Sequence, residues 1–253
     1  MTNSDTISST DLYVEQWGKT GDRVIFVHGG GSGGAANFQR QKALAERWTL
    51  LLPDRLGYGR SPSIGVKDFE RDAPYIADLL GDGAHLVGHS YGGIVALYAA
   101  ALRTQAVRSL VVIEPPAFQL GAGDPDVDRL ASAFIALFRD VTDPETFMRQ
   151  FLALSGVPVQ LPPSPLPPPL LASARHSMTV RGPWEAVIPV ETLAQAPFRK
   201  LVVSGGHKRA YEVIADVLAA KIGGSRAVIQ GNQHSVQDVG ESFNRTLEAF
   251  WLA

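Results

Sequence analysis

At 253 residues, with 45% hydrophobic content and near-neutral mean hydropathy, the chain has the makeup of a globular protein able to bury a sizeable core, organised as one domain with an insertion. Its 23 Lys and Arg against 25 Asp and Glu leave a formal charge of −2, with no basic run able to track a phosphate backbone or an acidic membrane, so neither is an expected partner. The absence of cysteine excludes disulfides, thiol catalysis, thiolate zinc sites and iron–sulfur clusters together.

The opening residues Met1 to Thr6 show neither a basic start nor an apolar stretch, and no apolar run is long enough to span a bilayer, so a cytoplasmic protein is expected. Short β-branched runs at 23–27, 49–52, 85–87 and 107–113 predict buried parallel strands. Helix-like stretches at 36–47, 69–80 and 90–103 separate them, the alternation of a doubly wound sheet. After Glu114 the rhythm changes. From 115 to about 197 strand-like runs stop, while Val127, Leu130, Ala131, Phe134, Leu137 and Phe138 follow a helical period. A second helix is predicted to start at Asp143-Pro144, with Phe147, Phe151 and Leu154 on one face. The proline-dense stretch 158–169 predicts an extended connector that excludes helix, with a PxxP ligand as the alternative. Alternation resumes with a strand at 200–204, a helix at 210–222, a strand at 226–229 and a closing helix at 241–252; there is no internal repeat.

Two motifs carry chemistry. Gly88-His89-Ser90-Tyr91-Gly92-Gly93 is a G-x-S-x-G pentapeptide between a strand and a helix. A serine at such a turn is forced into strained dihedrals among small neighbours, its hydroxyl exposed at a helix N-terminus that favours developing negative charge. His28-Gly29-Gly30-Gly31 follows directly on the strand 23–27, and its glycines can bring backbone N–H groups up to a substrate. A phosphate-binding loop fails on spacing, since no lysine follows before Lys42. A dinucleotide site using Asp54 would leave Ser90 unexplained.

The HGGG turn, then Asp54-Arg55-Leu56-Gly57-Tyr58-Gly59-Arg60-Ser61, then the Ser90 pentapeptide, in this order and spacing, resemble the α/β-hydrolase superfamily over nearly the whole chain. The resemblance implies an α/β-hydrolase fold with 1–114 and 199–253 as core and 115–198 as a helical cap inserted after the strand ending at Glu114. It implies Ser90 as nucleophile and an oxyanion hole formed by the N–H groups of Gly30 and Tyr91. Of six histidines, His28, His85 and His89 have local roles, His176 falls in the insertion, and His207 follows the strand ending at Ser204. His234, between the last strand and last helix, resembles the family's histidine loop and is assigned as the base. The acid departs from the commoner pattern: where most members carry Asp, this chain reads Ser204-Gly205-Gly206-His207-Lys208, while Glu212 and Asp216 are expected to face solvent. Glu114, at the carboxyl edge of the strand after the nucleophile, is assigned instead. Zearalenone lactonases and a group of haloalkane dehalogenases look similar in placing a Glu there.

The expected reaction is cleavage of an ester or lactone of a hydrophobic small molecule through an acyl-enzyme, with no cofactor and no metal. Phe134, Phe138, Phe147, Met148, Phe151 and Trp184 of the insertion are candidate pocket residues, with packing of the cap as their alternative role. On the same fold a C–C bond hydrolase, a hydroxynitrile-type lyase, a perhydrolase or a slow-turnover ligand receptor remain open. Dehalogenase and epoxide hydrolase chemistry would need Asp where Ser90 stands. The oligomeric state is open, a homodimer being one option.

Overall fold

In the computed structural model, which describes residues 12–31, 33–63, 65 and 68–253, the apolar runs form the middle of one seven-stranded sheet. The strands are β1 (Val14–Trp17), β2 (Arg23–Val27), β3 (Thr49–Pro53), β4 (Ala84–His89), β5 (Val107–Ile113), β6 (Arg199–Ser204) and β7 (Ser225–Val228), in the order β1-β3-β2-β4-β5-β6-β7. Only the β1–β3 pairing is antiparallel. Every residue of β4 is buried, as a strand covered on both faces requires. Ile25, Val27, Leu86, Leu110, Val112 and Val202 face one core cluster, and Val24, Phe26, Val87, Val111, Leu201 and Val203 the other, the two-residue alternation of a pleated strand.

The helices are α1 (Gly34–Asn37), α2 (Phe69–Leu79), α3 (Tyr91–Leu102), α4 (Pro125–Asp140), α5 (Pro144–Ser155), α6 (Pro168–Ser177), α7 (Val190–Gln195), α8 (Arg209–Ile222) and α9 (Glu241–Leu252). One sheet face is covered by α2, α3 and α8, the other by α9 together with a 3-10 turn at Gln39–Glu46. Four helices, α4 to α7, lie between β5 and β6; α7 packs on α3 and α8, with Leu193 fully buried in their cluster. Asp124 and Asp143 cap α4 and α5 ahead of prolines that lose no hydrogen bond in a first helical turn.

Four local expectations change. Residues 36–47 do not form one helix: α1 ends at Asn37, and the 3-10 turn brings the buried Gln41 amide to Gln237 O (2.9 Å) and Asn244 Oδ1 (3.0 Å). The proline-dense stretch does not exclude helix to its end, because Pro168 and Pro169 open α6, where their fixed φ suits the first turn. β1, which the sequence pattern does not predict, is a half-exposed edge strand of four residues. Glu212 does not simply face solvent, since it accepts from Ser204 Oγ (2.8 Å), Gly206 N (3.1 Å) and Arg226 Nη2 (2.8 Å). The opening segment, Met1 to Thr6, lies outside the described residues, and among the described residues no helix is long and apolar enough to cross a membrane.

The strand register positions the site. Val27 pairs with Gly88, His89 with Ile113, Ile113 with Val203, and Ser204 with Val228. The next residue on each of β2, β4, β5 and β6 is therefore His28, Ser90, Glu114 and Gly205, along one sheet edge. The hydrogen-bond ladder carries into this row, with Ser90 N donating to Ile113 O (2.8 Å) and Glu114 N to Val203 O (2.9 Å).

Candidate active site

Ser90 caps α3 with φ 52° and ψ −125°, a conformation that costs of order 1–3 kcal/mol in a residue other than glycine. Among the described residues only two other non-glycine positions have positive φ, Glu114 (43°) and Gln233 (51°). The strained backbone thus falls on Ser90, on Glu114 and on the residue before His234, which share one constellation. Ser90 Oγ lies 2.9 Å from His234 Nε2, and His234 Nδ1 lies 2.7 Å from Glu114 Oε2. His234 and Glu114 are buried, Glu114 to 1% exposure. The Gly205 N–H donates to Glu114 Oε1 (2.6 Å); a Cβ on Gly205 would run into the Gln233 carbonyl, so glycine is required for that approach.

Burial by itself would raise the Glu114 carboxyl. The His207 and His234 rings outweigh it and hold the group down at about 2, so it is ionised at neutral pH. An ionised Glu114 accepting from Nδ1–H leaves Nε2 of His234 as the acceptor for the Ser90 hydroxyl. His207 Nδ1 stands 3.3 Å from Glu114 Oε1, within ion-pair reach but off the line of a hydrogen bond. His89, also buried here, meets the His234 carbonyl oxygen through Nε2 (3.0 Å), and burial lowers it to about 3, so it is a neutral strut under the histidine loop.

The glycine turn after β2 is held from behind. The Arg55 guanidinium, 1% exposed, donates through Nε to His28 O (2.9 Å) and through Nη2 to Gly29 O (2.8 Å), and pairs through Nη1 with Asp72 (2.7 Å). Its carbon sits 4.5 Å from the Tyr58 ring centre and 4.9 Å from that of Tyr91. With the carbonyls of His28 and Gly29 drawn away, the turn presents Gly30 to the space over Ser90. Asp54, the residue a dinucleotide site would use, instead accepts from the Gly34 and Arg60 N–H groups (2.7 and 2.9 Å) and closes the turns on either side.

Two cavities meet over Ser90. One, of about 50 Å³, is lined by Gly30, Ser90 and Tyr91 and walled by Tyr58, Phe118, Phe134, Phe138, Phe151 and Tyr211. The other, of about 430 Å³, is also lined by Gly30 and Ser90 but includes His234, with Met148, Leu152, Val159, Leu161 and Leu170 on its far side. Phe151, Ser155 and Ser177 line both. Of the candidate pocket residues, Phe134, Phe138, Met148 and Phe151 face these spaces, whereas Phe147 and Trp184 line neither. Phe147 is fully buried between Phe138 and Phe151, and Trp184 packs edge-on against Phe138 at 5.2 Å, so both support the wall from behind.

Sequence reasoning did not single out Arg55 or the contact of His207 with Glu114. The available signal was positional, since His207 follows the strand whose end adjoins Glu114. Among the described residues Glu114, His207 and His234 are also the one group whose donor atoms, within 4.8 Å of one another, could hold a metal ion. Both Glu114 oxygens are already engaged, by Gly205 and by His234.

Residues 24–246 match the model of the alpha/beta hydrolase family. The chain is 31% identical over 182 residues to a pimeloyl-[acyl-carrier protein] methyl ester esterase of Methylococcus capsulatus, covering 69% of this chain and 66% of that protein. It is 37% identical over 110 residues to lipase LipV of Mycobacterium tuberculosis, covering 42% of each. The chain thus spans about two fifths to two thirds of the length of these relatives. The crystal structure of an alpha/beta hydrolase from Sphaerobacter thermophilus superposes with a TM-score of 0.68 at 25% identity, covering 95% of this chain and 96% of that one.

Proposed function

The chain belongs to the α/β-hydrolase family, and from that premise we propose that it is a serine hydrolase cleaving a carboxylic ester or lactone of a hydrophobic small molecule through an acyl-enzyme. The observation that carries the reading is the unbroken relay from Ser90 Oγ through His234 to Glu114, at the floor where an aromatic cavity meets a larger one of mixed polar and apolar lining. Ser90 Oγ attacks the carbonyl carbon as His234 Nε2 takes its proton, and Glu114 stabilises the resulting imidazolium. The N–H groups of Gly30 and Tyr91 receive the oxyanion; Tyr91 is the first residue of α3, whose N–H has no acceptor within the helix. On collapse the C–O bond breaks and His234 returns the proton to the departing alkoxide. Water, deprotonated by the same base, then releases the acid.

This cycle assigns the two cavities. His234 must reach the leaving oxygen, so the alcohol portion occupies the larger cavity, which His234 lines, and the acyl portion the smaller aromatic one. The smaller has room for only a few water-sized groups, which favours compact apolar acyl chains. The methyl ester esterase and the lipase among similar proteins agree with ester chemistry without fixing the alcohol. In this reading the inserted segment 115–198 is a cap roofing both cavities.

The test is a panel of aryl esters of increasing acyl length, with macrolactones, run on the protein and on Ser90→Ala alongside a serine-directed fluorophosphonate label. Turnover should fall by roughly four orders of magnitude or more in the variant, and labelling should vanish with it. Butyryl esters should outrun dodecanoyl esters by about tenfold in kcat/KM. Labelling of Ser90 with no turnover of any ester or lactone would overturn ester hydrolysis while leaving the nucleophile in place.

A further inference from the structure

The larger cavity over Ser90 has two unlike sides. The inserted segment supplies an apolar one, from Met148 and Leu152 of α5, Val159 and Leu161 of the connector, and Leu170 of α6. All but Val159 belong to a small hydrophobic cluster separate from those on the sheet, and Val159 is 52% exposed. Two serine hydroxyls on this side are engaged within the protein: Ser173 Oγ donates to Gly31 O (3.2 Å) and Ser177 Oγ to Ser173 O (3.0 Å). The core supplies a polar side, from Asn37 at the end of α1 and from Ser235, Gln237 and Asp238 just beyond His234. Gln237 is 3% exposed, its backbone carbonyl is taken by the Gln41 amide (2.9 Å), and its Oε1 is buried with no hydrogen-bond partner. An unpaired buried amide oxygen is costly, and a bound group that pairs with it removes the penalty.

We infer that the alcohol half of the substrate carries hydroxyls along one edge and hydrocarbon along the other, as in a partial ester of a diol or polyol, and that Gln237 selects it. The inference rests on the proposed cycle, which seats the alcohol in this cavity and leaves the acyl half compact and apolar. A half-turn about the last bond of the glutamine side chain exchanges its oxygen and its NH2, so the group that suits it in either setting both donates and accepts. A hydroxyl does both, whereas an ether or carbonyl only accepts and an ammonium only donates. Ser235, 7% exposed on the same side, has the same two-way chemistry. Asp238 is the one carboxylate among the described lining residues, but it is exposed and the Arg40 charge acts on it, so the wall is not built around a cation. A volume of about 430 Å³ holds a small molecule of this kind rather than a methanol alone.

The experiment compares glycerol monobutyrate with propyl butyrate, which differ only in the hydroxyls of the leaving alcohol, in the wild type, Gln237→Met and Ser235→Ala. The wild type should favour the glycerol ester by about tenfold in kcat/KM, and that ratio should fall by about fivefold in Gln237→Met and about twofold in Ser235→Ala. A general loss of folding or activity lowers both rates and leaves their ratio, so a ratio unchanged in both variants overturns the inference. Choline butyrate is run beside them: a preference for it that Asp238→Asn abolishes would show a cation site and overturn the hydroxyl assignment. Nitrogen-15 NMR of the Gln237 side-chain amide separates this inference from ester hydrolysis itself. Glycerol monohexyl ether should move the amide signals at about tenfold lower concentration than hexyl propyl ether, its counterpart without hydroxyls. That response without turnover of any ester would sink the reaction and keep the subsite. Turnover with an amide indifferent to the glycerol ether would keep the reaction and overturn the subsite.

Discussion

Arg55 shows how a single buried charge can serve a backbone. Its fork takes the carbonyls of His28 and Gly29, its remaining amine takes Asp72, and its faces are covered by Tyr58 and by Tyr91, the residue whose own N–H is the second oxyanion donor in the proposed cycle. Lysine could keep the charge opposite Asp72 but could not hold two carbonyls and a carboxylate in one plane. Arg55→Lys should therefore lower kcat by roughly tenfold to a hundredfold with little change in KM, because the loss falls on the transition-state oxyanion. It should also destabilise the fold by about 1–3 kcal/mol through unpaired buried carbonyls. Ester kinetics with urea unfolding checks both, and a variant whose KM rises while kcat holds would place Arg55 in substrate binding. The residues of the relay could be found from sequence because each sits at the end of a strand or in the loop beyond one, where local pattern is strongest. Arg55 could not be read as a clamp, since its partners are 26 and 27 residues away and are backbone oxygens, which carry no residue-type signature.

At the scale of elements, α5 decides the shape of the two cavities over Ser90. Asp143 and Pro144 start it, Gly156 in the left-handed region ends it, and the interval places Phe147, Phe151 and Ser155 at helical spacing. Phe147 turns inward and stacks on Phe151 at 5.8 Å, which leaves Phe151 as the partition between the two cavities. Phe151→Ala should merge them and raise the kcat/KM ratio of octanoyl over butyryl esters by about tenfold. Because Phe151 is only partly buried, the stability lost should stay near 1–3 kcal/mol, below that of a fully buried phenylalanine. An unchanged acyl preference in a folded variant would mean that the wall lies elsewhere. The helical period of 127–138 and 147–154 was legible in advance, but period cannot tell a wall residue from one behind it, hence the separation of Phe147 and Trp184 from the rest. The 3-10 turn at Gln39–Glu46 was illegible for a related reason: its geometry is set by Gln41 reaching Gln237 and Asn244 about two hundred residues along the chain. β1, with a single buried residue among four, gave almost no alternation to read.

For the molecule as a whole, the packing that builds the site also fixes how stability responds to acid. His28, His85 and His89 are all neutral in the fold: burial, and then the Arg55 charge, holds His28 well below its ordinary value, while burial lowers His85 to about 4 and His89 to about 3. In the unfolded chain each would take up a proton near pH 6.5, so between that pH and the folded values the unfolded state binds more protons and stability falls as pH falls. Glu114, held at about 2 against 4.5, acts in the same direction at lower pH: its contribution is complete above about 4.5 and is lost as pH drops toward 2. Asp72 and Asp238, both raised by burial, oppose this trend. Above about pH 5.5 the histidines dominate, each able to contribute a slope approaching 1.4 kcal/mol per pH unit. Urea unfolding between about pH 7.5 and 5.5 should therefore show stability declining by roughly 2–4 kcal/mol, a large share of the total for a domain of this kind. His85 packs against Trp48 and Trp251 and bonds to Ser109 Oγ (2.7 Å), so His85→Phe would keep the ring contacts and remove the proton-binding group. That variant should show a shallower slope than the wild type, whereas equal slopes, or a wild type insensitive to pH over this range, would mean that these histidines are not held neutral by the fold.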